Sequence, residues 1–181
     1  SPGRFVMDLT TNCQSMAQPN HPNYPWLELV YLPETDSTNN EVIRYSSSKE
    51  MTLVCTDFQS QGRGQRGNSW ESEPGQNLLF SFLIYPDYVA ADEQFVLSQA
   101  VSLAIQQTLS LILPADELSI KWHNDIYWKD KKLGGILIEN SLVGNRIKRS
   151  VLGIGLTVNQ RVFTSDAPNP VSLRQITGQP F

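Results

Sequence analysis

The run Gln61-Gly62-Arg63-Gly64-Gln65-Arg66-Gly67-Asn68-Ser69-Trp70 constrains this chain more than any other feature. It stands between two apolar, strand-like segments, Met51 to Thr56 and Asn77 to Tyr85. Glycine lets backbone N–H groups come close to a ligand and tolerates positive φ. Arginine carries a permanent, planar charge suited to phosphate and carboxylate. Three glycines and two arginines within six positions cannot continue either strand. The run therefore reads as a mobile loop built to hold an anion, and it points to nucleotide chemistry. Gly/Arg-rich runs also serve as linkers or nucleic-acid-binding tails. Those usually recur outside folded cores, whereas this one occurs once, between strands.

With 181 residues, 40% of them hydrophobic, one ordinary domain with a real core is expected. A net charge of −4 argues against a nucleic-acid-binding body, so no DNA partner is expected. No apolar run approaches the roughly 20 residues that cross a bilayer. The first residues lack a charged region followed by an apolar stretch, so neither a membrane nor a signal peptide is expected. Cys13 and Cys55 are too few for a disulfide framework and lack metal-ligand spacing. Two free thiols suit the cytoplasm.

Residues 1–25 read as an irregular arm, with Pro19, Pro22 and Pro25 among Asn, Gln and Ser. Residues 26–181 read as the folded domain. Trp26 to Leu32 is a first strand. Ser37 or Thr38 caps a short helix running toward Ser48, with Glu41 completing a capping box from Thr38. Asp92 to Leu113 is the strongest helix, with Phe95, Val96, Gln99, Leu103, Gln106, Leu109 and Leu113 at helical steps and Pro114 as the stop. Strands follow at Leu118 to Trp122, Asp125 to Trp128, Leu133 to Glu139 and Ile147 to Asn159. Lys129-Asp130-Lys131 forms a polar turn, and Asn140 to Asn145 a hairpin connection. The fold class is α+β, a mixed β-sheet flanked by helices.

Lys121-Trp122-His123-Asn124-Asp125 and Lys129-Asp130-Lys131-Lys132-Leu133-Gly134-Gly135 form a second candidate site. Charged clusters usually mark a solvated hairpin. Paired glycines in a strand, directly after Lys132, instead favour close approach of a ligand. His123 and His21 are the only histidines, and they assemble no triad or metal site, so a structural or solvated His123 is expected. Ser37 reads as a cap rather than a nucleophile. No P-loop is present. Gly62 to Gly67 has the letters of a dinucleotide fingerprint, but no helix starts after it.

Glu34 to Asn40, Gln59 to Trp70, Lys121 to Glu139 and Val151 to Asn159 stand in the order and spacing of biotin protein ligases. Residues 28–181 resemble the catalytic domain of a biotin–[acetyl-CoA-carboxylase] ligase. The resemblance implies an enzyme that activates biotin with ATP and Mg²⁺ to biotinyl-5'-AMP. It then transfers biotin to one lysine of a biotin carboxyl carrier protein or domain. It implies biotin contacts from Ser37, Thr38, Asn39, Gln59, Gly62, Arg63, Gly64, Gln65, Trp70, Lys132 and Gly135. It places Arg66, Trp70, Asn124, Asp125 and Lys132 on the nucleotide side, and gives Lys132 and Arg63 the catalytic charges. A homodimer is compatible with it.

The chain departs from the family pattern at Gln65, His123 and Thr157. No N-terminal DNA-binding helix-turn-helix and no small C-terminal β domain are expected in it. Two rival readings are a lipoate or octanoate protein ligase of the same fold and a non-catalytic biotin-binding relative. The first would carry an Arg-Arg-x-Ser-Gly-Gly-Gly loop, which is absent here.

Overall fold

A computed structural model describes residues 24–45, 47–64, 67–121, 124–165 and 169–181. Most of the expected N-terminal arm, with Cys13 and His21, lies outside the described residues, as do Gln65, Arg66, Trp122 and His123. Seven strands form one mixed sheet: β1 (Leu27–Thr35), β2 (Met51–Gln59), β3 (Leu78–Ile84), β4 (Leu118–Lys121), β5 (Asp125–Trp128), β6 (Lys131–Val143) and β7 (Arg146–Leu156). Their order across the sheet is β1-β2-β3-β7-β6-β5-β4. Only β1 and β2 pair in parallel, so their connection must cross over, and helix α1 (Thr38–Arg44) makes it. All other pairs are antiparallel.

The two faces of the sheet are covered unequally. On one, Val42 of α1 packs with Val54, Leu83 and Val151. On the other, helix α2 (Phe95–Leu109) contributes Leu97, Val101, Ile105 and Leu109 to clusters with Leu152, Ile136 and Ile154. The alternation of side chains along a strand produces this division. Ile136 and Ile154 turn toward α2, while Gly135, Gly153 and Gly155 fall on the face that α1 only partly covers. That uncovered part of the sheet is where a site can form.

Several boundaries differ from the sequence expectation. The cap of α1 is Ser37, whose hydroxyl accepts the Asn40 N–H at 3.1 Å. Glu41 therefore sits one place too late for the box and pairs instead with Arg44 and Thr35. The helix stops at Arg44 rather than near Ser48. The Ser47 hydroxyl accepts the Lys49 N–H there at 3.0 Å, and such local bonds compete with helix. The α2 segment is likewise shorter, because a 3₁₀ turn (Ala91–Glu93) precedes it and turns follow Leu109. Ser110 donates back to the Gln106 carbonyl at 2.6 Å. Most of Asn140 to Asn145 is strand, and the reversal is tight at Gly144, with φ 59°. Beyond Leu156 the chain leaves the sheet. Helix α3 (Leu173–Thr177), with a Ser172/Gln175 capping box, has no counterpart in the sequence reading.

The returning segment is clamped beside the glycine-arginine loop. Glu71 accepts the Thr164 N–H and hydroxyl at 2.8 and 2.9 Å, and the Ser165 N–H at 2.8 Å. Burial pushes the Glu71 carboxyl up, but the donors of Ser165 and Thr164 outweigh it and hold the group at about 2. A carboxylate whose pKa is lowered on folding stabilises the fold above its ordinary value of 4.5 and loses that contribution as pH falls toward 2. Glu71→Gln is expected to lower the urea midpoint at pH 6, with the gap to wild type closing between pH 4.5 and 2. Midpoints measured across that range check this, and a gap independent of pH would contradict it.

Candidate functional site

The floor of the site is bare backbone. Gly135 of β6 and Gly155 of β7 face each other across the ladder, and the Trp70 indole lies over both. A Cβ on Gly155 would stand 2.7–3.0 Å from the indole, and one on Gly135 would stand 3.4 Å from it. Gly153, two residues back on the same face, accommodates Asn39, whose amide oxygen would lie 2.1 Å from a Cβ there. At Gly153 and Gly155 no side chain other than hydrogen fits, whereas a Cβ at Gly135 would only touch the indole. The indole Nε1 is buried with no acceptor among the described residues.

At the α1 end, the N-terminal turn presents its polar side chains to the sheet. The Thr38 N–H and hydroxyl donate to Gln59 Oε1 at 2.8 and 3.1 Å. Thr38 Oγ also lies 2.7 Å from Ser81 Oγ, and the Ser81 hydroxyl donates to Asn39 Oδ1 at 2.6 Å. Ser81, fully buried in β3, pairs across the ladder with Gly153. The two positions together form the socket for Asn39. With its oxygen engaged by Ser81, the Asn39 amide turns its nitrogen to Glu139 Oε1 at 2.9 Å. Buried polar groups of this kind are costly unless each is satisfied, so the network orients Thr38, Asn39 and Gln59 as a unit.

Two ion pairs flank this arrangement. The Arg63 guanidinium bridges both Glu139 oxygens at 2.8 and 3.0 Å and reaches Asn40 Oδ1 at 2.8 Å. The Arg63 bonds hold the Glu139 carboxyl below the usual range, with burial opposing and Asn39 assisting. Lys132 pairs with Asp125 at 3.2 Å and lies 5.6 Å from the Trp70 ring centroid. Its backbone is fixed on both sides, since its N–H donates to the Asn169 carbonyl at 2.8 Å and its carbonyl accepts from Val171 at 2.9 Å. Lys132 and Glu139 are seven residues apart on β6. At ~3.3 Å per residue their backbones stand roughly 23 Å apart, so the two pairs occupy opposite ends of the site.

Ser37, Thr38, Asn39, Gln59, Arg63, Gly64, Trp70, Asp125, Lys132 and Gly135 all line one pocket. Gly62 stands behind it, where a Cβ would meet the Trp70 carbonyl at 2.8 Å and Gln59 Nε2 at 3.1 Å. Asn124 is not brought there. At φ 67° its side chain pairs with Ser98 of α2, in a groove on the opposite face. Gln65 and Arg66 lie outside the described residues. The sequence reading did not select Gly153, Gly155, Leu137, Ser81 or Glu139. Alternating glycines in a strand were a usable signal for the first two, because a period of two puts them on one face. Ser81 is the one polar residue of Leu78–Ile84, a signal that the sequence reading did not use. Among the described residues, no three metal-ligating side chains group together.

Residues 29–157 match the Biotin/lipoate A/B protein ligase family. The chain is 32% identical over 162 residues to the bifunctional ligase/repressor BirA of Bacillus subtilis, covering 83% of this chain and 47% of that protein. It is 32% identical to the biotin–[acetyl-CoA-carboxylase] ligase of Paracoccus denitrificans, covering 81% and 63%. Among solved structures, the Aquifex aeolicus biotin protein ligase in complex with biotin and ATP superposes with a TM-score of 0.68 at 31% identity, covering 86% and 62%. The chain thus spans about half the length of the bifunctional relatives it matches.

Gly153→Ala is expected to expel Asn39 from its socket and disrupt the Ser81–Asn39–Glu139 chain. Overpacking of this kind costs about 1–3 kcal/mol. A denaturant titration measures it, and a Gly153→Ala protein as stable as wild type would show that Asn39 has no such seat.

Proposed function

Because the chain belongs to the biotin/lipoate A/B protein ligase family, we propose that it is an ATP-dependent biotin–[biotin carboxyl carrier protein] ligase. Biotin and ATP react to biotinyl-5'-AMP and pyrophosphate, and biotin then passes to a specific lysine of the carrier domain of acetyl-CoA carboxylase or a related carboxylase. The names of the relatives favour biotin over lipoate or octanoate as the acid. The observation that carries the proposal is the polarity of the pocket. It brings uncharged hydrogen-bonding groups, Thr38, Asn39 and Gln59, together with Lys132 and its partner Asp125 and with Arg63.

The chemistry suits such a pocket. A carboxylate attacking the α-phosphorus of ATP needs no protein nucleophile. It forms one C–O–P bond while the bond to pyrophosphate breaks. The barrier is the bringing together of two anions, so positioning and charge compensation do most of the catalysis. Lys132, held rigid by its backbone bonds, is a cation of that pocket. Asp125 is its partner in the absence of substrate, and the ammonium would exchange that carboxylate for the reacting oxygens. Mg²⁺ would accompany ATP as its counter-ion and neutralise the triphosphate. Trp70 forms an apolar wall that excludes water from the mixed anhydride. In the second half-reaction the carrier lysine, as free amine, attacks the biotin carbonyl and AMP leaves.

Lys132→Ala is expected to cut biotin-dependent pyrophosphate–ATP exchange by about 10²–10³, the usual cost of one charge-stabilising donor. Thermal unfolding should change little, because the ammonium is partly exposed. Near-normal exchange by the folded variant would remove Lys132 from this role. Exchange by the wild-type protein that requires lipoate instead of biotin would transfer the reading to the lipoate branch.

A further inference from the structure

Glu139 is absent from the roles assigned so far, yet it joins three separate parts of the site. It lies on β6, and Arg63 reaches it from the loop after β2, across the two intervening strands β3 and β7. Its Oε1 accepts from both Arg63 and Asn39, and its Oε2 accepts from Arg63. Arg63 Nη2 also donates to Asn40 Oδ1, so the guanidinium rests on the first turn of α1 as well. Both terminal nitrogens of Arg63 are therefore committed, and its charge is balanced by a carboxylate. Lys132 sits seven residues away on the same strand, at the far end of the pocket.

We propose that Glu139 is a positioning residue for biotin capture, fixing Arg63 against Asn39 and Asn40 to build the uncharged end of the pocket. The inference rests on the biotin-ligase reading and adds a residue and a division of labour to it. Arg63 serves as a charge-balanced strut, and Lys132 meets the anion. Without Glu139, Asn39 Nδ2 keeps the Leu137 carbonyl at 3.4 Å, and the guanidinium keeps a single anchor, Asn40 Oδ1, in place of the bidentate fork. Capture of biotin should weaken, while the reaction at the Lys132 end should not.

Steady-state pyrophosphate exchange with varied biotin tests this on the whole chain, with Glu139→Gln, Arg63→Glu, Glu139→Arg and the swapped pair Arg63→Glu/Glu139→Arg. Glu139→Gln is expected to raise the biotin KM roughly tenfold and leave kcat within about twofold, the signature of a lost binding contact rather than a lost transition-state contact. The swapped pair should recover a lower KM than either single reversal, which a merely structural role would not produce. An unchanged KM in folded Glu139→Gln would overturn the inference. So would a fall in kcat at constant KM, or a swapped pair no better than its parents. Calorimetric titration of biotin in the absence of ATP should show the same roughly tenfold weakening for Glu139→Gln, independently of turnover. A wild-type protein that shows no biotin-dependent exchange would remove the ligase reading and this inference with it. Wild-type exchange with an unaffected Glu139→Gln would remove only the inference.

Discussion

The contact on which the site depends is that of two side chains with bare backbone. Trp70 lies on Gly135 and Gly155, and Asn39 drops into the space above Gly153. A single methyl at Gly155 or Gly153 would lie within 3 Å of its neighbour, well inside van der Waals contact. Protein interiors are packed too tightly to absorb such an overlap without displacement. The alternation of side chains along β7 does the rest. It turns Ile154 and Leu152 into the core against α2 while clearing the opposite face. One strand thereby stabilises the fold and leaves room for chemistry.

Electrostatics completes what packing begins. The two cations expected to carry the catalytic charge, Arg63 and Lys132, each have a carboxylate partner, Glu139 and Asp125 respectively. The four charges sum to zero, so these two pairs do not carry the repulsion that two unpaired cations would impose. Exposed pairs of this kind contribute little to stability, about 0–1 kcal/mol each. Their value lies in geometry, because a bidentate arginine fork fixes direction as well as distance. An incoming anion can displace Asp125 from Lys132 at modest cost. Displacing Glu139 from Arg63 would also break bonds to Asn39 and Asn40, so the two pairs differ in how readily they open.

Much of this was legible along the chain. The glycine-arginine run, the Ser37-Thr38-Asn39 turn, Gln59 and the Lys132-to-Gly135 segment carry unusual residue types at short spacing. Backbone and charge constraints make such groupings conspicuous. The strands from 51 to 59 and from 78 to 84, and the long helix, follow from periodicity, which reports which face is buried. Helix ends were less legible. The choice of Ser37 over Thr38 as the cap depends on which residue first leaves helical φ/ψ, and neighbouring hydroxyls offer the same chemistry.

Periodicity and composition by themselves determined an α+β domain with strands on either side of a polar, glycine-rich loop. Local chemistry determined where anionic and polar ligands would be met. Only the tertiary structure decided who stands beside whom. Ser81 meets Asn39, 42 positions away, and Glu139 meets Arg63, 76 positions away, because the sheet order places β7 between β3 and β6. A sequence pattern reports the periodicity of one segment, and it holds no record of which strands become neighbours. For the same reason Asn124, one residue from Asp125, turns away to Ser98 on the other face. At φ 67° the backbone leaves the extended conformation at Asn124, and only the fold determines which face its side chain meets.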